Sequence, residues 1–297
     1  MTQLDLGRLG VWGHLDSLAA RDAIAYARRA EELGYATLWV PETVGREPIA
    51  LLALLAGTTD AINLGTSIVS IWGRDAQAAR MAALTVAEAS GGRFVLGLGV
   101  SHPHLAEKLR GHRFERPLSR MRDYLAGYRA AVYRGPRADG ASEPPVLVAA
   151  LRERMVELAA TDADGALPYL VTAERVAWMR GRLDAAASGE HRQLAVTLPV
   201  VIGEPDDREA ARAYLKPYLR TPTYQASWEL QGFDASDWDP PGSDRLLEAM
   251  VAIGSVDQVR DRIAAMLAAG ADHVAIIPLA RDGGTENAAT LEVLAPA

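Results

Sequence analysis

The sequence predicts a single (β/α)8 TIM barrel with an aromatic-rich insertion between its seventh and eighth strands. Segments of helical periodicity alternate with short Val-, Ile- and Leu-rich runs from one end of the chain to the other, and eight such runs can be counted. The runs are continuously apolar, the mark of parallel strands covered by helices. Eight such strand-helix units close naturally into a barrel, whereas a doubly wound sheet would stay open.

Leu9–Trp12 is read as the first strand. Ala20, Ala23, Ile24, Ala27, Ala30 and Leu33 then fall at helical spacing, Gly34 suits a left-handed C-cap, and residues 35–40 follow as strand two. Strands three to seven are expected at 62–70, 94–100, 146–151, 165–170 and 194–202, with Asp164-Gly165 as a tight turn into the sixth. Val259, Ile263, Met266 and Leu267 mark a late helix, Gly270 ends it, and residues 273–279 form strand eight. Two stretches break the rhythm. Residues 135–145 read as an exposed Gly/Pro/Ser-rich loop. Residues 214–242 carry Tyr214, Tyr218, Tyr224, Trp228, Phe233 and Trp238 before Asp239-Pro240-Pro241-Gly242. An insertion there lies at the C-terminal face, where it can roof the mouth, and its aromatics equally suit packing onto the barrel or onto a second subunit.

With 297 residues, 49% of them hydrophobic, the chain can bury a large core, and a barrel of this length is expected to occupy 1–297 as one domain. Cysteine is absent, which removes disulfides, thiolate metal sites, iron-sulfur clusters and a cysteine nucleophile and suits a reducing cytoplasm. Residues 1–10 lack the pattern of an export leader, and no apolar run approaches the roughly 20 residues that span a bilayer. A net charge of -7 with dispersed basic residues excludes a polyanion footprint, so neither nucleic acid nor membrane is expected as a partner. A small anionic cofactor stays open, because a few arginines or a helix N-terminus can hold one.

Catalytic residues of barrels follow the strands, and the segments at those positions carry nearly all the unusual chemistry of this chain. Trp12-Gly13-His14 follows strand one, Pro41-Glu42-Thr43 strand two, the segment from Ser67 to Asp75 strand three, and Ser101-His102-Pro103-His104 strand four. His102 is either an acid/base group or a hydrogen-bonded loop histidine. His102 and His104 form a His-x-His pair without an evident third ligand, and no metal is expected. Glu42 is either a cofactor anchor or acid/base group, or an ordinary loop carboxylate. Gly97-Leu98-Gly99 lacks the third glycine of a dinucleotide fingerprint; these glycines instead let a ligand approach the backbone. Ala149 to Met155 ends strand five and opens a helix whose N-H groups, with Arg152 or Arg154, could hold a phosphate; the arginines equally suit solvent.

Leu64-Gly65-Thr66-Ser67-Ile68-Val69-Ser70, the run from Gly92 through Gly99 to His102, and Ala149 through Asp164-Gly165-Ala166 resemble the luciferase-like monooxygenase superfamily, in its coenzyme F420-dependent oxidoreductase branch. The resemblance spans most of the chain, in the right order. It implies a non-prolyl cis peptide at Ser67-Ile68 that supports a tricyclic ring, with Trp12, Glu42, Ser67, Ile68, Ser70, Gly99, Ser101 and His102 around that ring. It also implies a phosphate site at Ala150, Arg152 and Met155. Sugar-phosphate dehydrogenases of this branch carry an Asp-His pair after strand two and a Glu after strand four; here Glu42-Thr43 and His102 stand there, and the sugar-phosphate basic cluster is not evident. The expectation is therefore hydride transfer between F420 and a small-molecule substrate, with His102 moving the proton and Glu42 with Ser67 to Ser70 holding the ring. The alternatives are an FMN-dependent monooxygenase and a barrel that binds cofactor or partner without turnover. The resemblance implies a homodimer, with which the helical face from Ala76 to Ala89 is compatible, though that face equally suits burial against the barrel.

Overall fold

The computed structural model describes residues 4–139, 142–203, 208–280 and 284–296; residues 140–141 of the expected loop and residues 1–3 lie outside them. The strands are β1 (Leu9–Trp12), β2 (Thr37–Val40), β3 (Asn63–Thr66), β4 (Val69–Ser70), β5 (Phe94–Gly99), β6 (Val146–Val148), β7 (Gly165–Ala166), β8 (Gln193–Ile202), β9 (Ala252–Gly254) and β10 (His273–Pro278). The order β10-β1-β2-β3-β5-β6-β7-β8, closed by pairing of β8 with β10, is an eight-stranded parallel barrel. All eight expected strands are present. Strand three divides at Ser67-Ile68, a cis peptide, so that β3 pairs low on β5 and β4 pairs high on it. The unexpected β9 extends β8 at Val200–Ile202; three residues are too few for a periodicity signal.

Helices α1 (Ala20–Glu32), α2 (Pro48–Ala56), α3 (Ala76–Ala89), α4 (Pro117–Ala130), α5 (Glu153–Asp162) and α6 (Ala173–Ala186) connect successive barrel strands. The insertion is helical and wider than expected, with α7 (Arg208–Leu215), α8 (Pro222–Glu229), α9 (Ala235–Trp238) and α10 (Asp244–Met250). The outer helix α11 (Val256–Ala268) and the short α12 (Ala288–Val293) complete the chain. Local chemistry sets several boundaries. Gly34 has φ +82 after α1, the Asp75 side chain accepts from the Ala78 N-H at the start of α3, and Ser255 with Gln258 forms a capping box on α11. Among the described residues no helix is long and apolar enough to cross a membrane.

The apolar core has three parts. One lies between barrel and helices; a second joins the insertion to the mouth through Leu170, Val201, Ile277 and Leu279. The third fills the barrel interior with Leu6, Trp39, Val95, Leu147, Leu167, Ala195 and Ala275, so the barrel is packed rather than hollow. Beside that layer the Trp39 indole N-H donates to His273 Nε2 at 2.9 Å, and His273 Nδ1 lies 2.8 Å from the Gly7 carbonyl, which makes Nδ1 the protonated nitrogen of a neutral ring.

Burial holds the fully enclosed His273 down from 6.5 to about 4. Below its own pKa the unfolded chain takes up a proton that the folded barrel refuses, so this contribution to stability is complete above about pH 6.5 and lost as pH falls toward 4. The displacement corresponds to about 3 kcal/mol. Urea unfolding at about pH 7 and about pH 4.5 should show that loss, and His273→Gln should flatten it. An equally steep loss in the variant would assign the acid sensitivity to other groups.

Candidate active site at the barrel mouth

The division of strand three builds one side of the mouth. The Ser67 N-H donates to the Val40 carbonyl at 2.9 Å, the Trp12 indole N-H donates to the Ser67 carbonyl at 3.1 Å, and the Glu42 N-H donates to the Ile68 carbonyl at 3.1 Å. These bonds tie the ends of β1 and β2 to the two residues of the cis peptide. The Ile68 side chain lies against Gly99, where an added Cβ would stand 2.4 Å from Ile68 Cδ1. Ser70 is buried and its hydroxyl accepts the Trp72 N-H at 3.2 Å. Trp12, Glu42, Ser67, Ile68, Ser70 and Gly99 therefore meet in space, as the sequence expectation grouped them.

Glu42 sits in a more closed setting than its position at a strand end suggests. Its carboxylate accepts the Ser70 N-H, Arg74 Nη2 at 2.8 Å and Arg110 Nη2 at 2.9 Å, while Arg74 also reaches Glu47 at 2.7 Å. The Glu42 side chain is only 8% exposed. Arg74 and Arg110 were not singled out from the sequence; Arg110 is 68 residues away, and no local spacing could announce the pair.

His102 lies beyond β5, directly after Ser101, which adopts a left-handed backbone at φ +57. That turn carries His102 to the insertion, where its ring centroid is 5.5 Å from that of Tyr224 and 6.0 Å from that of His104. Burial first, and His104 second, lower the His102 pKa, which favours the neutral imidazole. Its Nδ1 is buried without a hydrogen-bond partner. Tyr224 belongs to a set with Tyr169, Tyr214 and Tyr218, in which the Tyr169 and Tyr214 hydroxyls bond to each other. Tyr169 was missed by the sequence analysis; its only signal is its place just past β7, at the C-terminal end of a barrel strand.

The expected phosphate site lies apart, at the start of α5. Ala150 is buried, Met155 is half-buried and Arg152, the N-cap residue, is exposed. No side chain caps this helix end, whose first N-H groups belong to Glu153 and Arg154 beside Arg152. Among the described residues no cluster of three or more His, Cys, Asp or Glu could hold a metal ion. A cavity of about 870 Å³ opens at the opposite end of the barrel, lined by Arg80, Glu143, Asp164 and Arg192 among others. Arg80 and Glu143 pair there at 2.7 Å, and that end of such barrels serves stability rather than chemistry.

The profile of the luciferase-like monooxygenase family matches residues 2–273. A Mycobacterium tuberculosis protein that carries the name of a coenzyme F420-dependent oxidoreductase is 29% identical over 322 aligned positions, 89% of this chain and 91% of its own. The coenzyme F420-dependent tetrahydromethanopterin reductase of Methanopyrus kandleri superposes with a TM-score of 0.75 at 17% identity, over 98% of each chain. The oxygenating constituent of 3,6-diketocamphane monooxygenase of Pseudomonas putida, solved with FMN, superposes at 0.71 and 17% identity, over 98% of this chain and 97% of its own. At such identities the two superpositions show the shared fold.

Glu42→Gln leaves Arg74 and Arg110 facing a neutral amide. Loss of a buried carboxylate partner should destabilise the barrel by about 2–4 kcal/mol, read by denaturant unfolding. An unchanged midpoint would show that the two arginines find other partners at no cost.

Proposed function

Because the chain belongs to the luciferase-like monooxygenase family, we propose that it is an F420-dependent oxidoreductase acting on a small organic substrate at the C-terminal mouth of the barrel. The observation that carries this reading is His102, a half-buried imidazole with an unpartnered Nδ1, three residues beyond Gly99, on which the Ile68 side chain of the bulge packs. The name of the Mycobacterium tuberculosis relative supports F420 as the cofactor.

The residues present fit such a group. The Ile68 side chain packs tightly on Gly99 beside the bulge, and the uncapped start of α5 leaves N-H groups for a phosphate. On this reading Trp12, Ser67, Ile68, Ser70, Gly99, Ser101 and His102 hold the ring, and Ala150, Arg152 and Met155 hold the phosphate. When bound, the deazaflavin supplies the carbon that gives or takes a hydride. The protein orients both reactants and excludes water. His102, kept neutral by burial, accepts a proton at Nδ1 from a substrate hydroxyl or, once charged, returns it. Glu42 acts here as a positioning residue: with its oxygens occupied, it fixes β4 and the Arg110 loop instead of moving a proton. The second reading, an FMN-dependent monooxygenase, is favoured by the FMN-bound neighbour of the same fold.

His102→Ala should reduce turnover of F420 by about 10²- to 10⁴-fold while F420 binding, followed by fluorescence, stays nearly unchanged. Normal turnover in the variant would remove His102 from the chemistry, and oxygen uptake with reduced FMN would move the assignment to the monooxygenase.

We also propose that two copies pair through the outer faces of α2 and α3, where Leu54 and Met81 are exposed. Sedimentation velocity should then show a dimer; a monomer at every concentration would overturn the pairing.

A further inference from the structure

The mouth has a wall with no fixed charge. Tyr169 arrives from the end of β7, Tyr218 and Tyr224 from the insertion, and His102 from the end of β5. Their ring centroids follow one another at 5.5 Å (Tyr169 to Tyr218), 5.1 Å (Tyr218 to Tyr224) and 5.5 Å (Tyr224 to His102). Tyr169, Tyr214, Tyr218 and His102 all keep accessible surface. Yet burial is the first cause that raises the hydroxyl pKa of Tyr169, Tyr214 and Tyr224. Rings that are deep in the protein and still partly accessible suit the lining of a recess.

The electrostatics of that recess come from its own members. Apart from burial, the groups that displace the titration of Tyr169, Tyr214 and Tyr224 are other tyrosines of the set, and for His102 the neighbour is His104. No Asp, Glu, Lys or Arg enters for any of them. The Tyr169 and Tyr214 hydroxyls satisfy each other, whereas His102 Nδ1 has no partner. A buried polar atom in that state is destabilising until something bonds to it.

Resting on the oxidoreductase reading above, we propose that this recess takes an uncharged substrate with one hydroxyl or carbonyl oxygen on an apolar or aromatic body, that His102 Nδ1 bonds that oxygen, and that carboxylates and phosphates are excluded. A neutral imidazole suits either oxygen: a bare Nδ1 accepts from a hydroxyl, and the other tautomer donates to a carbonyl. Tyrosine faces and edges supply contact area for the body of such a molecule. A carboxylate entering the recess would surrender its water to a wall that offers no cation in return.

The test compares benzyl alcohol with benzoate, which share a ring and differ in charge. Each is titrated into the full chain by saturation-transfer NMR, alone and again with F420 added, while the His102 ring resonance is followed. Benzyl alcohol should bind and move the His102 resonance, and benzoate should bind about tenfold more weakly or worse. Tyr218→Arg, checked for folding by circular dichroism, should narrow or reverse that preference by supplying a cation. If the variant does not fold, the wild-type comparison decides alone. Benzoate binding as tightly as benzyl alcohol, a still His102 resonance, or no benzyl alcohol binding under either condition would overturn the proposal; so would a folded Tyr218→Arg variant with an unchanged preference. F420 binding is read separately by its fluorescence. Its failure beside intact selectivity for the alcohol would sink the cofactor reading and leave the recess, and the reverse result would sink the recess alone.

Discussion

Closure of the barrel is the constraint from which the rest follows. β10 pairs with both β1 and β8, so the strands enclose an interior of fixed size that their inward side chains must fill without excess. Trp39 and His273 take a large share of it, and glycines at the facing positions make room for them. A Cβ on Gly65 would lie 2.5 Å from the Trp39 ring, and one on Gly10 would lie 2.6 Å from the His273 ring. With the lower interior packed this tightly, ligand chemistry is displaced upward, to the loops beyond the strand ends.

The upper rim cannot be held by ladder hydrogen bonds alone, since the strands are ending there. Strand three illustrates the problem. After the break at Ser67-Ile68 only β4, a two-residue strand, continues along β5. Side chains take over from the ladder: the Trp12 indole bonds the Ser67 carbonyl, and the Glu42 carboxylate bonds the Ser70 N-H and gathers Arg74 and Arg110. Two arginines on one nearly buried carboxylate make a stiff junction between β2, β4 and the segment before α4. Loss of either kind of partner leaves charge without compensation, which is why the junction favours a single geometry.

Much of the architecture was legible in the sequence because a parallel barrel repeats one local rule. Each strand is continuously apolar and each helix has its own period, so each could be read without knowing its neighbours. Where that local rule thinned out, so did legibility. β9 is too short to carry a pattern, and β7 keeps ladder geometry only at Gly165–Ala166, although residues 165–170 read as one apolar run. The site was legible in its addresses more than in its contacts. Strand-end positions pointed to Glu42, Ser67, Ser70 and His102. The partners that define what those residues can do, Arg110 for Glu42 and Tyr224 for His102, are distant in sequence and meet only after the barrel closes. Tyr169 had no local motif at all.

These two sets of partners divide the mouth electrostatically. On the side of β2 and β4, carboxylates and guanidiniums neutralise one another within a few ångströms, so their fields are short-ranged and their work is structural. On the side of β5, β7 and the insertion, aromatic rings surround one neutral imidazole, and no opposing charge competes for its unpartnered nitrogen. A proton-transfer group gains most from such a neighbourhood, because its basicity is then set by burial and by whatever ligand lies against it. The charged junction could not serve in the same way: the Glu42 oxygens already engage the Ser70 N-H, Arg74 and Arg110, and freeing them would dismantle the rim that they hold together. The proposed role of His102 in moving a proton rests on this separation of a self-neutralised side from an uncharged one, which sets it apart from the carboxylate that looks equivalent in the sequence.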